Sequence, residues 1–535
     1  MRIVAVLSRF AFSEYRVLST VYLRALCVAG GLCTLFIFPA SAEINAVHRV
    51  LPNGLTVILY PSKQAPTVAC RLFYVTGSVH ERPGNTGIAH LLEHMLFKGT
   101  RKTGTRDSVA DARLDARIAA VMDTLDALAA GRTAGLDSAA LAARRERIAA
   151  LRATHDSLMA QQRALMIPYE LWEAYEKAGG TGLNAFTSDL MTAYIVTLPR
   201  NRVELFLWLE ADRMQHAVLR EFYPERDVIA EERRMRVDDR PTGRYWESLV
   251  GVFYEAHPYR FPTIGYPSDI RALTRRQAEE HYRKYYKPNN AILVLAGDLD
   301  TATALRDIER YFGGIPRGED FPPVVTQEPP PAGEKRLTVR RADAPPRLDI
   351  LFHTPGYPVD AEGDLAALDV LEGVLSGKSG RLHKKLVTDL KLAVSASAGN
   401  GVDKYSSSFH VAVNLDGKPD LAKVEAAVWD VLESLARAPV TERELLRARN
   451  QVAARTVRAM EDMESLATEL AYWEMRMGPG GWDHVNRFPA AVQRVTAEQV
   501  QAAAAKYFRR DAATVGAILP PVETSGAADK SGGRK

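Results

Sequence analysis

The rest of the chain has to be organised around the stretch Gly87-Ile88-Ala89-His90-Leu91-Leu92-Glu93-His94-Met95-Leu96-Phe97. It is apolar and helix-compatible. On an α-helix, residues four apart lie one turn above each other, so His90 and His94 share a face. Glu93, three residues after His90, stands near the edge of that face. Two stacked imidazoles suit a borderline-soft cation such as zinc, and a carboxylate beside the metal can take a proton from bound water. The order H-x-x-E-H reverses the commoner H-E-x-x-H.

At 535 residues the chain is too long for one ordinary core, and its length suggests two to four domains. With 47% hydrophobic and 25% charged residues it has a globular composition, so global disorder is excluded. A formal net charge of +4 is small for this length and points to no nucleic-acid partner. The N-terminus reads as a secretory signal over residues 1–42. Arg2, Arg9, Arg16 and Arg24 form a basic region, Ala25 to Phe38 is apolar, and Ala40-Ser41-Ala42 offers a small-x-small cleavage site. The basic region is long for such a signal and fits a start nearer Val21. The apolar run is shorter than the roughly 20 residues of a span, which favours cleavage over a retained anchor. The expected location is periplasmic or secreted, or membrane-anchored if the signal stays. Cys70 is then the one cysteine of the mature chain, so no internal disulfide forms.

In order along the chain, Ala46 to Tyr60 predicts a β-hairpin turning at Asn53-Gly54, and Thr67 to Thr76 a further strand. The loop that follows carries His80, which as a loop histidine is more often incidental than a ligand. Between about 103 and 170 lies a predicted helical hairpin, with Leu114, Ile118, Val121, Leu125 and Leu128 in one arm and Leu141, Ile148, Leu151, Leu158 and Leu165 in the other. Gly179 to Leu198 has β character. A helical pattern runs from Arg202 through Met235 and carries Glu225 and Glu232, whose interval of seven residues is two turns, so both point the same way. A loop from Pro258 precedes a helix to about Tyr286, and Ala291 to Asp298 is an apolar strand. Pro322-Pro323 and Pro329-Pro330-Pro331 mark a linker over 313–334. Beyond it the order strand, strand, loop, helix repeats. Laying Ile88 to Leu96 on the second helix puts His90 near Asp369, Glu93 near Glu372 and His94 near Gly373, a second copy without its imidazoles. The tail, 521–535, is polar and reads as disordered.

These residues resemble the M16 peptidase family, which includes pitrilysin, insulin-degrading enzyme and the mitochondrial processing peptidases. The matching pieces are His90 to Thr100, Asn184-Ala185-Phe186-Thr187-Ser188, Glu225 to Met235, His257-Pro258-Tyr259 and Tyr285 to Asn290. The similarity spans most of 45–515, strongly in the first half and weakly in the second, and its size matches the two-domain branch.

The resemblance implies an α+β fold of two related α/β-roll domains, each an antiparallel sheet with packed helices: a catalytic domain over 43–312, carrying the helical hairpin as an insertion, and a non-catalytic one over 335–520, joined by the Pro-rich linker. It implies one Zn2+ per chain held by His90, His94 and Glu232, with Glu93 as general base and Glu225 supporting a ligand. Glu231 adjoins Glu232, and the seven-residue interval from Glu225 favours Glu232. Residues Asn184, Ala185, Phe186, Thr187 and Ser188 match an edge strand to which an extended substrate adds by main-chain pairing. The family's second domain also supplies an Arg and a Tyr to substrate. Here Arg381 follows a Gly-Lys-Ser-Gly loop, but His383 stands where a Tyr is expected, so those groups would come from a partner subunit. The implied function is an exported zinc endopeptidase acting on peptides or unfolded segments. Its rivals are a site-specific precursor-processing peptidase and a non-catalytic assembly subunit. The implied assembly is a homodimer or a heterodimer with a zinc-free relative.

Overall fold

The computed structural model describes residues 43–131, 133–320, 323–357 and 363–522. The expected signal over 1–42 and the tail beyond Val522 lie outside the described residues.

The fold is α+β and is built on two sheets. The first comprises β1 (Val47–Val50), β2 (Thr56–Pro61), β3 (Thr67–Tyr74), β4 (Thr181–Thr187), β5 (Thr192–Pro199) and β6 (Ala291–Gly297), in the order β1-β2-β6-β3-β5-β4. The second comprises β7 (Lys335–Arg340), β8 (Arg347–Pro355), β9 (Ser395–Asn400), β10 (Ser406–Asn414) and β11 (Ala513–Leu519), in the order β7-β11-β8-β10-β9. Without β1 the two orders coincide, strand for strand. The correspondence extends to direction, because β2–β6 and β7–β11 are the parallel pairs and the remaining ones are antiparallel.

The local sequences explain these strands. Every residue of β6 is buried, so it reads as an unbroken apolar run, as a strand covered on both faces must. By contrast β10 alternates, burying Phe409, Val411 and Val413 on one face.

The helices that place the site and join the two halves are α1 (Ile88–Met95), α2 (Ser108–Ala130), α3 (Ser138–Leu165), α4 (Val203–His216), α5 (Phe222–Arg233), α6 (Gly243–Phe253), α7 (Arg275–Tyr285), α8 (Asp364–Leu375) and α9 (Met463–Met477). The pattern read as one helix from Arg202 to Met235 is two, α4 and α5, separated at Ala217–Glu221. That break is marked by Pro224, in the first turn of α5, which has no N–H to give and crowds the carbonyl four residues back. It is held by tertiary contacts: a bridge between Thr100 and Ala217, and the fully buried Arg220.

Two helices are exchanged between the sheets. From the first half, α6 packs on β7 and β11 of the second sheet. From the second half, α9 packs on β3 and β6 of the first. One apolar cluster accordingly runs through both halves, joining Phe73 and Ile292 to Tyr245, Leu249, Ile350 and Leu470. A second cluster lies wholly in the first half, under α1, and includes Leu91, Leu92, Met95, Tyr194 and Leu293.

The α2–α3 pair packs through Ile118, Met122, Leu158 and Met159, and is rooted by a bridge between Thr105 and Met166. Between Phe312 and Lys335 there is no regular element among the described residues, but the segment is tied down. Glu328 accepts backbone N–H bonds from Glu255, Ala256 and His257 at 2.6, 3.0 and 2.9 Å.

Candidate metal centre

Helix α1 is placed by its ends. Gly87, at its N-cap, has φ 89°, and a Cβ there would meet the Ile264 carbonyl oxygen at 2.7 Å, so glycine is required twice over. Lacking a capping side chain, the helix borrows one. Buried Glu81 accepts from the N–H groups of Gly87 and Ala89 at 2.7 and 2.9 Å. The apolar face of α1 (Leu91, Leu92, Met95) enters the core and leaves His90 and His94 on the side facing α5.

There the two histidines meet Glu232. Nε2 of His90 lies 3.8 Å and Nε2 of His94 3.5 Å from Glu232 Oε2, and one ligand atom from each residue falls within 4.8 Å of the others. Nitrogen and oxygen donors on a common tetrahedral Zn2+, each about 2.0–2.1 Å from it, lie about 3.4 Å apart. The donor set of two imidazoles and one carboxylate, with a free fourth position, is that of catalytic zinc, so the residues fit the ion. Among the described residues this is the one group of its kind, and Glu231, bound instead to Arg234 on the exposed side of α5, is outside it. His80 is also outside, packed near the ring of Tyr285.

Two further carboxylates complete the surroundings. Glu225 Oε1 accepts from His94 Nδ1 at 2.9 Å, which fixes the tautomer and leaves Nε2 with its lone pair toward Glu232. Burial pushes Glu225 upward, but the hydrogen bond from His94 and the ammonium of Lys98, 2.6 Å away, outweigh it and hold Glu225 at about 2. Burial pulls His94 down, yet its bond to Glu225 and the charges of Glu93, Glu225 and Glu232 raise it overall. His90 has no such support. Burial, His94 and Arg236 push it down to about 3, so it is a neutral imidazole at physiological pH. Glu93 is raised by burial, against the opposing influence of His94 and of the Thr187 hydroxyl, which donates to Glu93 Oε2 at 2.6 Å.

That last bond links the carboxylate to the edge of the sheet. Asn184, Ala185, Phe186 and Thr187 lie in β4, which is last in the strand order and paired on one side by β5. Ser188 departs from the expected strand. It follows β4 in the turn, where its N–H donates to the Met191 carbonyl at 2.8 Å and its own carbonyl accepts from Ser78 N–H at 3.3 Å. Lys98 and Arg236 carried no expected role. Arg236 reaches Glu232 Oε1 at 2.9 Å from a wider turn, Arg234–Asp238, that continues α5. Lys98 stands in a quoted motif, but nothing in its spacing shows that it meets Glu225.

The second half has the corresponding positions without the donors. Asp369 and Glu372 occupy α8, with Arg455 3.6 Å from Asp369 and the Asn400 N–H donating to Glu372 at 3.1 Å. Gly373, where the laid-over sequence puts a histidine, is pressed against Ala448, whose Cβ is 3.0 Å from where a Cβ would stand, so any side chain there would crowd that residue. Arg381 is engaged within the chain, by Glu444 at 2.8 Å and Ser434 at 3.2 Å.

Known proteins resemble this chain in sequence and in fold. Residues 56–112 match the family model for insulinase (peptidase family M16), and residues 272–452 that for the peptidase M16 inactive domain. The zinc protease PqqE of Helicobacter pylori is 26% identical over 408 residues, 74% of this chain and 76% of that protein. An uncharacterised zinc protease of Mycobacterium leprae is 26% identical over 471 residues, 87% of this chain and 90% of that one. Among solved structures, a protease from Helicobacter pylori superposes with a TM-score of 0.71 at 22% identity, covering 89% of this chain and 100% of that one. The first half of the periplasmic protease PqqL from Escherichia coli gives a TM-score of 0.66 at 17% identity, covering 90% and 92%. Both family models are matched in order along the chain and its relatives are named zinc proteases, which together support an M16 family protein.

Proposed function

We propose that this protein is an exported zinc endopeptidase that cuts peptides or unfolded segments. The observation that carries the reading is the convergence of His90, His94 and Glu232 beside Glu93. The three would hold one Zn2+, which when bound supplies a Lewis acid and makes a water molecule easier to deprotonate. Glu93 then takes the water's proton and passes it to the leaving amine, a role suited to a carboxylate raised by burial. Thr187 orients Glu93, and β4 receives the extended substrate through its open edge. Glu225 holds His94 from behind.

Export accords with PqqL, a neighbour whose name places it in the periplasm. Among the described residues no helix is long and apolar enough to cross a membrane. A protein substrate accords with another neighbour, the ferredoxin protease FusC, solved in complex with a ferredoxin. Pairing of two chains, as a homodimer or with a zinc-free relative, is favoured by two facts. The match covers 48% of the full-length PqqL chain, and Arg381 is already engaged within its own half.

The test is zinc content together with cleavage of a quenched fluorescent peptide library, by wild type and Glu93→Gln. Both should bind one zinc, and Glu93→Gln should lose about 10²–10⁴-fold in kcat. A wild type without stoichiometric zinc would overturn the reading. Zinc without cleavage in the purified chain would point to a missing partner subunit.

A further inference from the structure

The α2–α3 hairpin carries none of the zinc-site residues, yet its base is bonded to both polypeptide segments that carry the site. Asp111 of α2 binds fully buried Arg220, accepting from Nε at 3.0 Å and Nη2 at 2.7 Å. Arg220 in turn donates to the carbonyls of Lys98, Thr100 and Thr103, in the loop that leaves α1. Arg163, near the end of α3, binds the next residue, Glu221, at 2.8 Å. The other oxygen of Glu221 faces Lys98 at 3.5 Å, Lys98 meets Glu225 at 2.6 Å, and Glu225 meets His94 at 2.9 Å. An unbroken series of charged contacts thus runs from the hairpin to a ligand.

The backbone at the middle of that series is unusual. Glu221 has φ 56° and ψ 33°, the left-handed region, and is one of three non-glycine residues with positive φ among those described. Side chains rarely adopt this conformation, and glycine or asparagine would hold it at less cost. Glu221 precedes α5, but its side chain caps none of that helix's N–H groups, so helix capping does not explain the residue. What a carboxylate does here, and glycine could not, is join Arg163 to Lys98. Strained residues that persist at a site point to a role in it.

We infer that Glu221 is a positioning residue: it couples the hairpin to the zinc site by holding Lys98 against Glu225, and thereby His94 toward the metal. This rests on the zinc reading above. Lys98 has two carboxylate neighbours, and without Glu221 its ammonium is free to swing away from Glu225. His94 would then be held less firmly, as when an outer partner of a metal ligand is lost.

The experiment measures zinc affinity by chelator competition, and melting of the zinc-free protein, for wild type, Glu221→Gly, Glu221→Gln, Arg163→Met and the Arg163→Met/Glu221→Gln double variant. Glu221→Gly relieves the backbone, so its zinc-free form should melt no lower than wild type, while its zinc affinity falls about tenfold. Glu221→Gln should lose zinc similarly. Arg163→Met should lose it severalfold, and the double variant no more than Glu221→Gln alone, because both act through one series. Unchanged zinc affinity in the Glu221 variants, or losses that follow the melting temperatures, would overturn the inference while leaving the zinc reading intact. A wild type that holds no zinc would sink both.

Discussion

Glu81 and Glu93 are both buried and both raised by that burial, but their neighbours give them different work. Glu81 is pushed up to about 8 against two backbone N–H bonds, and it faces the start of α1. Glu93 faces Thr187 and the imidazole of His94. One carboxylate therefore holds the helix in place and the other is available for proton transfer. Glu81→Ala would strand the N–H groups of Gly87 and Ala89 in the interior, and should cost about 2–4 kcal/mol in urea unfolding of the zinc-free protein. A loss below about 0.5 kcal/mol would mean that water replaces the carboxylate. Helical spacing puts His90, Glu93 and His94 together and aligns Glu225 with Glu232, but that Glu232 meets the two histidines was implied by the family resemblance, because no local spacing joins α5 to α1. Glu81 was not legible. It is six residues upstream of the backbone it caps, in a loop whose path depends on Gly87 lying against Gly265.

Among the elements, apolar periodicity marked the strands and the hairpin because each buries one face or both. The break between α4 and α5 did leave a mark in Pro224, which cannot continue a helix from Arg220, and Arg220's buried partners then hold the chain there. The single helix expected up to Tyr286 also divides, at Thr274, whose hydroxyl and Gln277 form a capping box that the sequence did display. Which helix covers which sheet is a long-range choice, and one residue shows how it is made. Gly516 in β11 leaves room for α6, since a Cβ there would stand 2.8 Å from Leu249. Gly516→Val should therefore lift α6 off the second sheet and destabilise the protein by about 1–3 kcal/mol, read as a lower urea midpoint at unchanged slope. A midpoint equal to wild type would show that α6 is not held there by close packing.

Across the whole molecule, the exchanged helices turn two similar halves into one unit with a shared apolar core. The Pro-rich segment reads as a linker, but a linker's composition says nothing of what crosses beside it. Polar contacts cross as well. Asp349 of β8, wholly buried, accepts from Arg347 at 2.6 Å, from His410 at 2.8 Å and from the hydroxyl of Tyr245 on α6 at 2.7 Å. Burial raises Asp349, but the bonds from His410, Arg347 and Tyr245 outweigh it and hold it below the ordinary carboxylate range. In acid the unfolded chain therefore takes up this proton first. The stability that Asp349 contributes is fully present above pH of about 4 and is lost as the pH falls through its lower folded value. Asp349→Asn keeps the shape but leaves Arg347 without its carboxylate, and should cost about 3 kcal/mol at neutral pH. Chemical unfolding of the zinc-free proteins at stepped pH should show that gap narrowing below about pH 4, as wild type loses what the variant never had. Two curves that stay parallel through the acid range would place the tie between the halves in the apolar packing of α6 and α9 alone.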